Sequence, residues 1–123
     1  MAISVIAQKN TGTAPLPLPV FLMMRDSTTS IDVVFLQGKG ESISLDGKNV
    51  HLFNSFFENE PAQKGDSAQA AMIMWQIRGR EFLTGKMYLG QSKGYVVITV
   101  KGREYVNVIN EQGNTFFKSQ IKK

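Results

Sequence analysis

Apolar and polar positions alternate with a period of two over most of the second half of the chain. In residues 81–89 (EFLTGKMYL), Leu83, Gly85, Met87 and Leu89 fall on one side, and Phe82, Thr84, Lys86 and Tyr88 on the other. That alternation predicts a strand, because successive side chains of extended backbone point to opposite faces. Residues 95–101 (YVVITVK), 104–109 (EYVNVI) and 115–121 (TFFKSQI) are rich in β-branched and aromatic residues and are predicted as further strands. The turn-prone segments GQSKG, Gly102-Arg103 and NEQGN separate them. Residues 69–77 (QAAMIMWQI) place Ile73, Trp75 and Ile77 on one face and are read as a strand; a short helix capped at Asp66 or Ser67 competes with that reading.

The first half is less regular. Residues 2–8 (AISVIAQ) suit a first strand. In KNTGTAPLPLP, Pro15, Pro17 and Pro19 alternate with leucines, so residues 9–19 are expected to form an extended, polyproline-like arm. Strands are predicted at 20–25 (VFLMMR), 31–36 (IDVVFL) and 41–45 (ESISL). Asp46-Gly47 reads as a two-residue hairpin turn leading into a strand at 50–53 (VHLF). Residues 54–68 read mainly as an exposed loop.

Many short strands with turn chemistry every 8–12 residues point to one all-β domain over residues 1–123. The architecture expected is a small antiparallel barrel of the oligonucleotide-binding type with a proline-rich N-terminal arm; a two-sheet β-sandwich is the alternative. A length of 123 residues, with 42% hydrophobic and 20% charged residues, suits a single globular core.

Charge alters this picture through its distribution. Residues 1–75 carry five basic and seven acidic side chains, whereas residues 76–123 carry nine basic ones against Glu81, Glu104 and Glu111. The net charge of +4 therefore sits in the second half, and a basic face suits a polyanion. There are no cysteines, so disulfides and thiolate metal sites are excluded and a reducing, cytoplasmic setting is expected. The opening MAISVIAQKN has no signal-peptide pattern, and no apolar run approaches the ~20 residues that span a bilayer.

Catalytic chemistry is hard to assemble from these residues. His51 is the only histidine and lies among apolar neighbours in VHLF, where a core or interface position is expected. No phosphate-binding loop, dinucleotide fingerprint, zinc-protease motif or nucleophile elbow occurs. The expectation is a binding protein without enzymatic activity, cofactor, metal or small-molecule substrate.

Binding a single strand of nucleic acid requires cations for phosphates and flat aromatic faces for bases. The second half supplies both on the same predicted strands. The candidate interface comprises Trp75, Arg78, Arg80, Phe82, Lys86, Tyr88, Arg103, Tyr105, Phe116 and Lys118. Phe82, Lys86 and Tyr88 share one parity, as do Phe116 and Lys118; Arg78, Arg80 and Arg103 sit at expected hairpin turns.

The stretch RGREFLTGKMYLGQSKGYVVITV resembles the central hairpin of small oligonucleotide-binding-fold proteins from phages and mobile elements. EQGNTFFKSQI is similar to the glycine-turn-then-aromatic strand of some phage single-stranded DNA-binding proteins. The resemblance implies a five-stranded barrel that binds single strands without sequence preference, with Phe82, Lys86, Tyr88 and Phe116 on the binding surface. Single-stranded DNA or RNA is then the expected partner, with homo-oligomerisation. Two other classes stay open. One is a viral structural subunit (decoration, tail or capsid-associated) found in the virion, and the other is an inhibitor that docks on a protein through the basic face.

Overall fold

A computed structural model describes residues 14–65 and 67–121. The expected strand at 2–8 and the start of the arm, residues 9–13, lie outside the described residues.

Seven strands form one antiparallel sheet in the order β2-β1-β4-β5-β6-β7-β3, curled into a half-barrel. They are β1 (Ser30–Phe35), β2 (Ser42–Asp46), β3 (Phe57–Glu58), β4 (Ala71–Ile77), β5 (Arg80–Tyr88), β6 (Gly94–Val100) and β7 (Arg103–Ile109). The all-β, antiparallel, barrel-like class read from the pattern is therefore found, as one sheet and not two packed sheets. Among the described residues it has seven strands where the family resemblance implies five. Strands β4 to β7 form a continuous meander, and each lies within two residues of its expected position.

Three segments expected as strands are helices. Residues 20–25 belong to α1 (Leu18–Ser27), residues 50–53 to α2 (Lys48–Asn54) and residues 115–121 to α3 (Glu111–Ile121). Each has a local cause. Pro17 stands at the N-cap of α1 and Pro19 within its first turn, where a missing N–H costs no helical bond, so of the arm's described residues 14–19 the helix takes the last two. Gly47, with φ +57°, turns the chain straight into α2, and Asp46-Gly47 makes no hairpin. Asn110 caps α3: its Oδ1 accepts the Gly113 N–H at 2.9 Å. In α3, Gly113, Asn114 and Phe117 are buried, which is helical spacing.

The helices fill the concave side. Ile31, Val33, Ile73, Trp75, Leu83 and Ile98 face inward from the sheet and are at most 2% exposed. Met24 of α1, Phe53 of α2 and Phe117 of α3 join the same core. The expected loop at 54–68 is not wholly exposed: Phe56 and Phe57 are buried, and Phe57 contacts Phe53 and Trp75 at ring centroid distances of 5.2 and 5.7 Å. Farther along, Lys64 and Gly65 reach the convex side of β6 and β7. Lys64 pairs with Glu104, and the Gly65 N–H donates to the Tyr95 hydroxyl at 3.1 Å. Val97 and Val106, which pair on that same side of the sheet, are buried.

Candidate nucleic-acid interface

The β4–β5 and β6–β7 turns lie at the same end of the meander, because β4 and β6 run in the same direction. Each turn has two residues with positive φ. Arg78 (+53°) precedes Gly79 (+81°), and Lys101 (+50°) precedes Gly102 (+81°). This is the mirror-image turn that matches strand twist, and Asn or Asp normally occupies its first position. Among the described residues, Arg78 and Lys101 are the non-glycine residues at positive φ. The strain at each is of order 1 kcal/mol or more. The Arg78 N–H is held by the Thr29 hydroxyl at 2.8 Å, which ties this turn to the residue just before β1.

Below the turns, register decides which side chains converge. Arg80 pairs with Ile77, and Arg103 pairs with Val100, so both arginines carry the concave parity. Tyr105 pairs with Ile98 and shares that side. Phe82 reaches it through an irregularity. Trp75 pairs with Leu83 but Gln76 pairs with Glu81, leaving Phe82 as the extra residue of a bulge. Phe82 therefore packs against the core and not beside Lys86 and Tyr88. A groove of ≈ 470 Å³ results. Phe82, Val100 and Tyr105 line it from the sheet, Pro17, Pro19 and Met23 from α1, and Lys101 and Arg103 at its rim.

The electrostatics of this end are one-sided. Arg78, Arg80, Lys101 and Arg103 are exposed, and among the described residues none of them forms an ion pair. Glu104 is engaged by Lys64, which leaves Glu81 as the neighbouring carboxylate without a salt bridge. The Arg25–Asp26 pair is a separate feature on α1. There the guanidinium hydrogen bond holds the Asp26 carboxyl below its usual range, partly opposed by desolvation.

The ten residues expected from sequence thus separate. Arg78, Arg80, Phe82, Arg103 and Tyr105 come together. Trp75 does not join them: it is fully buried, and its indole donates to Asn54. Lys86 and Tyr88 lie on the convex face, where Tyr88 stacks on Tyr95 at 4.7 Å with planes 10° apart. Phe116 and Lys118 ride on α3. Phe116 packs on Phe56, and Lys118 lines a shallow depression with Gln37 and Leu89 at the opposite end of the sheet. His51, expected in a core or interface, is exposed on α2. Sequence reasoning missed Lys101 and the α1 wall. The repeated basic-residue-then-glycine pair, Arg78-Gly79 and Lys101-Gly102, was the available signal.

Among the described residues, no group of three His, Asp or Glu side chains is placed to hold a metal ion, and no helix is long and apolar enough to cross a membrane. The chain matches no protein-family model, no curated protein and no solved structure.

Proposed function

We propose that the protein binds single-stranded nucleic acid, DNA in the first instance and without sequence preference, at the paired hairpin turns. The observation that carries this reading is the placement of Arg78 and Lys101 in strained turn positions where a shorter residue fits better. Two turns that each tolerate such strain, two strand spacings or about 10 Å apart, present cations to an anionic chain. Phe82 and Tyr105 in the groove between them and α1 offer flat faces for unstacked bases, and stacking tolerates any base. Duplex DNA keeps its bases stacked and cannot use that groove.

The test is fluorescence anisotropy with labelled poly-dT and with duplex of equal length, titrated at several salt concentrations. Four phosphate contacts give a slope of log affinity against log salt of about −3 for a single strand. Tighter binding to the single strand, lost when Arg78, Arg80, Lys101 and Arg103 are all replaced by Ala, supports the reading. Absence of binding at low salt, or binding indifferent to those replacements, overturns it.

A role as a structural subunit is the second reading. Val34 and Met72 are neighbours across β1 and β4 on the convex face and are 42% and 50% exposed, with Leu36 at 49% just beyond the end of β1. Adjacent apolar side chains left in solvent favour a partner surface. If oligonucleotide binding fails, the mass of the protein in solution discriminates this alternative.

A further inference from the structure

We infer that the protein forms a two-fold dimer by antiparallel pairing of β2 with β2 of a second copy, continuing the sheet from one protomer into the other. β2 is the terminal strand of the sheet order, and its partner on the other side is β1. The hydrogen-bond phase of that pair follows from the Phe35 N–H, which donates to the Glu41 carbonyl at 2.9 Å. Narrow and wide pairs alternate along an antiparallel ladder. Ile43 and Leu45 therefore spend their backbone groups on β1, while Ser42, Ser44 and Asp46 direct theirs away from the sheet.

A strand with free outward groups is a template for pairing, and proteins usually blunt such edges with lysine, proline or a bulge. The β2 sequence SISLD has no lysine and no proline, and it pairs with β1 in unbroken register. It is also self-complementary. A two-fold axis normal to the sheet requires facing residues of the same parity, and centring it on Ser44 uses every outward group. Ser44 then faces its own copy, and Ser42 faces Asp46 of the second copy in both directions. Each of these three pairs exchanges two backbone hydrogen bonds. On the concave side, half-buried Ile43 comes against half-buried Leu45 of the second copy and covers apolar surface that a lone protomer leaves wet. Glu41 precedes the strand and Lys48 opens α2 just beyond it, so the pairing brings Glu41 of one copy to the end that carries both Asp46 and Lys48 of the other. This inference is independent of nucleic-acid binding.

Sedimentation velocity over a wide concentration range tests the association, and single-cysteine crosslinking tests the register. The wild-type chain is expected to sediment as a dimer. Ser44→Pro removes an N–H that points away from the sheet, a position an edge strand tolerates. It deletes two of the shared hydrogen bonds and is expected to weaken dimerisation on the order of tenfold or more. Ser44→Lys exchanges the 2.7 Å hydrogen bond that the Ser44 hydroxyl donates to Asp32 for an ammonium beside the same carboxylate, and sets two ammonium groups side by side in the dimer. Since the chain has no cysteine, Ser44→Cys introduces one thiol per protomer, and facing residues about 5.5 Å apart are within disulfide reach. Mild oxidation is expected to give a covalent dimer with Ser44→Cys and not with Ser119→Cys on α3. A wild-type monomer at every concentration overturns the inference. So does a folded Ser44→Lys protein that dimerises as wild type, or equal crosslinking of the two cysteine variants.

Discussion

The indole nitrogen of Trp75 donates to the side-chain oxygen of Asn54 at 2.9 Å, and both residues are at most 2% exposed. The Asn54 amide nitrogen in turn donates to the Met24 carbonyl at 3.0 Å, near the C-terminal end of α1. One buried asparagine thereby joins the sheet to two helices, and no buried side-chain nitrogen or oxygen of the trio is left unpaired. Replacing Asn54 with Ala strands the indole N–H and opens a cavity beside it. The expected loss is about 2–4 kcal/mol of stability. Urea denaturation followed by the fluorescence of Trp75, the single tryptophan, reads this directly.

Gly85 lies beneath that indole. A Cβ added there would stand 3.0 Å from Trp75 Cζ3 and 3.0 Å from Val96 Cγ2, and both contacts belong to the packed core. Gly85→Ala is expected to destabilise the protein by about 1–3 kcal/mol through overpacking. Its melting temperature against wild type is the measurement, and an unchanged value would show that the Trp75 ring can shift at no cost.

At the paired turns, stability and function should part. Arg78→Asn and Lys101→Asn place the residue that the turn prefers at each strained position. Each replacement is expected to raise stability by up to about 1 kcal/mol while removing a cation. The double variant should melt higher than wild type yet bind poly-dT more weakly, with a salt slope shallower by about 1.4. A variant that gains stability and keeps its affinity would separate these turns from binding.

Aromatic residues on the two faces of β5 and β7 should respond differently. Tyr105 lines the groove, whereas Tyr88 lies across the sheet with one ring face covered by Tyr95. Tyr105→Phe retains the flat ring and should bind as wild type; Tyr105→Ala should weaken poly-dT binding by about 1–3 kcal/mol. Tyr88→Ala should leave affinity unchanged in folded protein. Anisotropy titrations of the three variants, each checked by circular dichroism, decide between the faces.

Half of the candidate interface could be read without coordinates, and the division has a physical origin. Arg78, Arg80 and Arg103 were placed correctly at the hairpin end because turn chemistry is local. Phe116 and Lys118 were not, because Asn110 and Glu111 read equally well as a turn and as the start of a helix. Trp75 alternates correctly on its strand, but alternation alone does not say which face is covered.

The amino-acid sequence by itself determined the antiparallel meander from β4 to β7 and the concentration of positive charge within it. Those features depend on side-chain parity and on turn residues a few positions apart. Tertiary structure decided the three helices, since runs such as VFLMMR and VHLF are apolar enough for either state and the concave side of the curled sheet had to be filled. It also decided the position of Phe82. A bulge exists only relative to a partner strand, and the one-residue mismatch between β4 and β5 carries this ring from the convex face into the groove beside Tyr105.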